Sequence, residues 1–327
     1  MNNKTTLKVA LLLLLALLWG LTYPLTKISV DEIPMMTYSL GRTVIGALIL
    51  WLALRWNGQR LPGWDRIWIH LSIMALVHNA APYVLVAWGS QSVDSGLAAI
   101  ITSTAPLFTI ILAHYMVADD RMTPTKLIGV LVAFSGMIVL LSPSFQGGLS
   151  ASLGGVGAML AASVCYGVAT VYTRKYLRGL PSLVGPTAQL IVASAFLLPL
   201  SLVWERPYQL PIPSTISLLA WVAVAVLGTG VAFIVFYQLV EMASPSFVSM
   251  VSYLIPIVGA SLGVLALGER LPHSALVGFT IILAGVVIAN SRFGRYLSPI
   301  PHFIKQNKYS IPGLLPRIEK SREPLQL

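Results

Sequence analysis

The chain has 327 residues, of which 56% are hydrophobic and only 10% charged, and its mean hydropathy is +0.81. Soluble domains carry about a quarter charged residues, so a water-soluble fold is excluded. The net charge of +10 is scattered over short loops and a C-terminal tail rather than gathered on one face, which argues against nucleic acid as a partner.

Crossing the roughly 30 Å hydrocarbon core takes about 20 apolar helical residues. Ten stretches are predicted to do so: 9–28, 36–55, 67–88, 95–117, 125–142, 155–173, 183–203, 217–239, 247–267 and 274–291. They are continuous apolar runs rather than short alternating strands, so each satisfies its own backbone as a helix. In the first, Lys4 and Lys8 precede Leu11–Leu18 in the manner of a signal peptide. No small-residue cleavage site follows and the apolar run continues to Leu25, so the stretch reads as a span. The fold class expected is therefore an all-α polytopic membrane protein of ten transmembrane helices.

Positive charge orients the bundle. With both termini in the cytoplasm, Lys4, Lys8, Arg55, Arg60, Arg66, Arg121, Lys126, Arg174, Lys175, Arg178 and the basic residues from Arg292 to Arg322 all face inward. Only Lys27, Arg206 and Arg270 face outward, which is the positive-inside pattern of a cell (inner) membrane protein. Residues 292–327 have no apolar period and read as a basic, flexible cytoplasmic tail near anionic lipid. Cys165 is the single cysteine, so neither an intramolecular disulfide nor a cysteine metal cluster is expected.

The chain repeats itself. Gly20, Thr26, Lys27, Pro34 and Arg42 recur in order as Gly167, Thr173, Arg174, Pro181 and Gln189. Pro106 recurs as Pro256, and Asp120-Arg121, Gly129, Gly136 and Ser142 recur as Glu269-Arg270, Gly278, Gly285 and Ser291. The predicted organisation is an N-terminus 1–8, a first repeat 9–142, an external linker 143–154, a second repeat 155–291 and the tail. Five spans is an odd number, so the second copy enters from the opposite side. Two inverted five-helix repeats are typical of secondary transporters, whose halves rock around a midplane site.

The run from Leu227-Gly-Thr-Gly through Tyr237, then Ser244-Pro-Ser-Phe, Leu254-Ile-Pro-Ile and Leu267-Gly-Glu-Arg-Leu, resembles the second repeat of the drug/metabolite transporter superfamily, EamA-like branch. Trp19-Gly20, Arg42 and Thr104-Ala-Pro106 are similar to its first repeat. The resemblance covers about residues 9–291. It implies a ten-helix bundle that exports or exchanges small metabolites, amino acids among them.

Residues expected to bind substrate are polar or aromatic groups inside spans. Arg42 lies within the second, where arginine costs roughly 2.5–3.5 kcal/mol to insert, so it is expected to line the interior and hold a substrate carboxylate or a helix C-terminus. Snorkelling to the outer headgroups is the alternative. Gln189, at the repeat-related place, is expected to line the same cavity. His78 and Asn79, with Tyr83 a turn beyond, align with Gly228-Thr229-Gly230, where the family implies glycine in both copies; they should narrow the cavity and add donors. Trp19, Tyr23, Tyr166, Tyr237 and Tyr253 fall inside spans and suit an amphiphilic cargo, with core packing as the rival role. Trp51, Trp56, Trp64, Trp68 and Trp204 lie near span ends and read as an interfacial belt, and His114 reads as interfacial. Pro106 and Pro256 are expected to kink their helices as hinges, and Gly259 and Gly263 to offer a packing face.

No acidic residue sits at mid-depth, and Asp94 and Glu241, the nearest, read as interfacial. Gradient-driven facilitation or exchange is therefore expected first, and proton coupling through His78 second. No enzyme is expected: Asp119-Asp120 beside Arg121 is a poor magnesium-diphosphate site, and no G-x-S-x-G motif occurs. The expected partners are a small-molecule substrate and the lipid bilayer, with no nucleic acid, no metal and no cofactor; a homodimer is an open alternative. Among cargoes, amino acids or related zwitterions lead, ahead of drugs or nucleotide derivatives; nucleotide sugars would call for several cavity cations, and Arg42 stands alone.

Overall fold

The structure, a computed structural model, describes residues 3–117, 120–145 and 153–290. The expectations for most of the linker, for Asp119, for Ser291 and for the tail 292–327 fall outside the described residues. Within them the chain is helical, with no strand. Nine helices are long and apolar enough to cross a membrane: Thr5–Val30 (span 1), Met35–Trp56 (2), Ile67–Ser90 (3), Ser95–Met116 (4), Pro124–Ser142 (5), Leu153–Tyr176 (6), Val184–Gln209 (7), Thr215–Met242 (8) and His273–Asn290 (10). Span 9 is the shorter Val251–Leu267, preceded by the short helix Pro245–Val248. The predicted spans therefore hold to within a few residues, although spans 4 and 9 are each broken, at Ser103–Thr104 and at Ser249–Met250.

Leu48, Leu52, Leu131, Ile138, Leu219 and Leu265 are exposed around the bundle. So wide an apolar surface is stable only against lipid. The chain is a multi-pass integral membrane protein. Trp56, Trp64 and Trp204 are exposed at or beyond helix ends, where an amphipathic ring meets the bilayer interface.

The two repeats pack as antiparallel copies. A side chain at Gly129 would strike Gly285 and Ala289, and one at Gly136 would strike Gly278 and Ile282. Contact thus advances along span 5 as it recedes along span 10, with the repeat-related glycines crossing over. Helix backbones come this close only where no Cβ intervenes, as in small-residue interfaces of membrane helices. Likewise Gly20 in span 1 meets Val258 and Gly259 in span 9, while Gly167 in span 6 meets Phe108 and Thr109 in span 4. These are one interface made twice. Spans 2 and 7 are repeat partners that pack on each other, and so are spans 5 and 10.

Each repeat departs from α-helix at the same place. Ala75–Ala80 in span 3 and Val224–Val231 in span 8 are π-helical turns. They contain His78-Asn79-Ala80 and Gly228-Thr229-Gly230, the segments aligned by the repeat. Such wide turns redirect side chains and are frequent at functional sites.

Even span number puts the start of span 1 and the end of span 10 at one end of the bundle, called here the terminal end. At the opposite end, carboxylates hold helix N-termini from neighbouring elements. Glu205 accepts from the backbone N–H groups of Met36 (2.8 Å) and Thr37 (2.6 Å) at the start of span 2. Glu32 accepts from Ser214 N (2.5 Å) and the hydroxyls of Ser214 and Ser217 at the start of span 8. Those bonds, the Ser214 hydroxyl first, hold the Glu32 carboxyl below its ordinary range. Glu269 accepts from Ser95 N (2.7 Å) and Gly96 N (2.9 Å) at the start of span 4. Each carboxylate fills donors that a helix start leaves unpaired and meets the positive end of the helix dipole.

Candidate functional site

A cavity of about 480 Å³ lies between the repeats, within the range of small-molecule sites. Its wall includes Trp19 and Tyr23 of span 1, Arg42, His78 and Tyr83, Tyr166 and Thr170 of span 6, and Phe233, Phe236 and Tyr237 of span 8. Span 4 contributes Thr102, Ser103, Pro106 and Thr109, and span 9 with its approach contributes Ser249, Ser252 and Ile255; Asn290 completes the rim. The lining runs from mid-depth, at Arg42 and Tyr83, to the terminal end, at Ser249 and Asn290.

Arg42 is buried, 7% exposed. Its guanidinium lies 3.8 Å from the centroid of the Tyr83 ring, and its Nε donates to Thr229 Oγ1 at 2.8 Å. Among the described residues no carboxylate pairs with it; the ion pairs present belong to Asp120. A desolvated cation–π contact is worth about 2 kcal/mol and a hydrogen bond from a charged donor about 1.5–3. Together these offset an insertion cost of roughly 2.5–3.5 kcal/mol. The residue is thus held without snorkelling, and its positive charge remains unbalanced at the cavity wall.

The repeat explains this anchor. Arg42 and Thr229 correspond to Gln189 and Asn79, and those two also meet, Asn79 Nδ2 reaching Gln189 Oε1 at 3.5 Å. The second copy has no charge. Gln189 Oε1 also lies 3.4 Å from His78 Nδ1, so Gln189 supports His78 from behind. The expectation that Gln189 lines the same cavity as Arg42, from the opposite side, is corrected: it is buried against His78 and Asn79 of the span 3 π-helical turn and is not among the lining residues. Asn79 is likewise fully buried behind the wall, its Oδ1 without a hydrogen-bond partner among the described residues.

His78 does reach the wall and meets Tyr166 and Phe233 edge-on, at 6.1 and 6.3 Å between centroids. Trp19 packs on Phe233 and Phe236, at 6.4 and 5.4 Å. Tyr23 Oη and Thr102 Oγ1 share a 2.6 Å hydrogen bond. Tyr253 is placed behind the rim, where its hydroxyl accepts from Asn290 Nδ2 at 3.1 Å. Pro106 lines the cavity but does not kink a continuous helix: span 4 breaks at Ser103–Thr104, and Pro106 occupies the first turn of the next segment, where its missing N–H costs nothing. Pro256 is buried inside the span 9 helix, away from the break at Ser249–Met250. His114 Nδ1 accepts from Met122 N at 3.0 Å, which fastens span 4 to the loop ahead of span 5. The hydroxyls of Thr102, Ser103, Thr109, Thr170 and Ser252 and the Phe233–Phe236 pair were not singled out in the sequence. Repeat-related hydroxyls in apolar spans, Thr102 with Ser252, were the available signal.

Comparison with known proteins agrees with this architecture. The model of the EamA-like transporter family matches twice, over residues 6–142 and 153–291. Similar proteins include the uncharacterized transporter YvbV of Bacillus subtilis, 28% identical over 86% of this chain and 91% of that one. A probable terminal-alkyne amino-acid exporter of Streptantibioticus cattleyicolor is 27% identical over 86% and 92%, and the uncharacterized inner membrane transporter YedA of Escherichia coli is 25% identical over 87% and 90%. One crystal structure superposes with a TM-score of 0.63 at 21% identity, covering 89% of this chain and 98% of that one. With matches to both repeats and a cavity between them, the chain belongs to the EamA-like transporter family.

Proposed function

We propose that the chain exports small carboxylate-bearing metabolites, amino acids and related zwitterions first, by alternating access around the Arg42 cavity. The observation that carries the reading is the buried guanidinium with no carboxylate partner among the described residues. A cargo carboxylate would supply the missing charge in a low-dielectric site, where charge pairing is strong. Trp19, Tyr166, Phe233 and Phe236 offer ring faces to an apolar body or an ammonium group. The name of the Streptantibioticus relative, an amino-acid exporter, supports the same class. Hinge motion is assigned to the breaks beside Pro106 and ahead of Pro256. The halves that rock are residues 9–142 and 155–291, and the terminal end faces the cytoplasm by the positive-inside rule.

Among the described residues no acidic side chain lines the cavity, so exchange or facilitated movement is the first mode of energising. Proton coupling through His78 is the second, favoured by the place of His78 on the wall. Counterflow of a labelled L-amino-acid panel in proteoliposomes tests the proposal. Arg42→Ala should lower counterflow of carboxylate cargo at least tenfold, and Arg42→Lys should restore part of it. Undiminished counterflow in folded Arg42→Ala rejects the assignment. In the same assay, His78→Gln should flatten the pH profile if His78 carries the proton, and an unchanged profile removes it.

A further inference from the structure

Repeat symmetry exposes a difference between the two ends of the cavity. At the opposite end, span 9 finishes at Gly268 in the left-handed conformation (φ 67°), which turns the chain back on itself. Glu269 N then donates to Gly263 O at 3.1 Å, and the Glu269 carboxylate is delivered to Ser95 N and Gly96 N. Beside it, Lys27 Nζ donates to Val93 O at 3.2 Å. Spans 1, 9 and 4 are thereby joined, and every residue of the helix Ser95–Thr102 is buried. Asp94 belongs to the same cluster: burial, and then the Glu269 charge, push its carboxyl pKa up, while Lys27 opposes the rise.

The repeat assigns a counterpart to each part. Glu269 corresponds to Asp120, Lys27 to Arg174, and the start of span 4 to the helix Pro245–Val248. At the terminal end the parts are paired differently. Asp120 pairs with Lys126 and Arg174 instead, and Phe247 N donates to Ser244 Oγ at 3.4 Å. Ser249 and Met250 are exposed, and Ser249 lines the cavity.

We infer that Glu269 is the latch that closes the opposite-end gate, and that Asp120, its repeat-related counterpart, is engaged by Arg174 and Lys126 and forms no such latch while the terminal end stands open. The inference rests on the alternating-access reading of the same cavity. Glu269 touches no cargo in this scheme; it is a positioning residue that decides which side the Arg42 cavity faces.

Cysteine accessibility tests it. In a Cys165→Ser background, Ala98→Cys reports on the buried half of span 4 and Ser249→Cys on the open end. Each is labelled with an impermeant maleimide from its own side, in right-side-out or inside-out vesicles. Glu269→Gln should raise Ala98→Cys labelling at least tenfold and lower Ser249→Cys labelling, with Glu269→Asp in between. Labelling of both reporters at parental rates, or a rise in both together, overturns the latch. Where Glu269→Gln does not reach the membrane folded, Asp120→Asn carries the test: Ser249→Cys labelling should stay at or above the parental rate while counterflow slows. A fall in that labelling overturns the assignment. A parent bearing both cysteines separates the two layers of the argument. Alkylation of Ser249→Cys should suppress later labelling of Ala98→Cys; without suppression, alternating access fails and the latch with it. Suppression in the parent, together with no response to Glu269→Gln, removes the latch alone.

Discussion

The helix Ser95–Thr102 and its repeat counterpart, residues 245–252, are one element built twice and packed in opposite ways. In span 4 all eight residues are buried between spans 1, 9 and 6, and Glu269 caps the helix start. In span 9 the counterpart breaks at Ser249–Met250, and its Ser249 and Ser252 face the cavity. Ala99 and Ser249 occupy matching places, yet Ala99 is 0% exposed and lies against Gly259, whereas Ser249 is open. Duplicated sequence therefore does not produce duplicated burial. A transporter caught facing one side must pack its two copies differently, since a fully symmetric bundle would open to both sides or to neither.

Five substitutions sharpen the contrast, beginning with the largest effect. Ala99→Leu forces extra volume into the closed half of span 4, where overpacking costs about 1–3 kcal/mol. Ser249→Leu at the matching open place should change stability by less than about 0.5 kcal/mol while obstructing counterflow. Melting temperatures of the two purified variants decide the matter; equal losses would mean that the two copies are equally packed. Next, Thr229→Ala removes the hydrogen bond to Arg42 Nε, worth roughly 1.5 kcal/mol, or about tenfold in cargo affinity. Asn79→Ala removes only the long contact to Gln189 and should weaken affinity less, as titration of bound cargo would reveal. The smallest effect belongs to Asp120. Burial works to raise its carboxyl pKa, but Lys126 and Arg174 together hold it below the ordinary value of 3.8. Its contribution to stability is therefore present in full above that ordinary value and is lost as pH falls through the depressed one. Asp120→Asn should lower stability by about 0.5–1 kcal/mol at neutral pH. The gap in melting temperature from the parent should close as pH is taken below the ordinary carboxylate value; a gap that widens instead contradicts the pairing.

Much of this was legible beforehand because hydropathy is a local, additive property. Span limits, the duplication and the choice of Arg42 needed only residue types and their order. Trp19, Tyr23, His78, Tyr83, Tyr166 and Tyr237 were selected as in-span polar or aromatic groups, and all of them line the cavity. Asn79, Gln189 and Tyr253 met the same criterion and lie behind the wall. A position within a span specifies depth but not azimuth, and the π-helical turns at Ala75–Ala80 and Val224–Val231 shift azimuth in a way that no α-helical period reports. The Glu269 contact was missed for a related reason. Glu269 reads as a loop residue, and only the left-handed Gly268 sends it back onto span 4.

What the sequence alone determined is composition-deep: ten membrane crossings, two related halves and one arginine placed where charge is expensive. What the tertiary structure decided is relational: the Tyr83 and Thr229 contacts that hold Arg42, and which end of the cavity stands open. The physical reason is that two antiparallel copies of one unit place related residues at opposite ends of the bundle, where they need not make the same contacts. Side-chain pairing between distant spans then differs between the two ends, with Glu269 on the start of span 4 and Asp120 on Lys126 and Arg174.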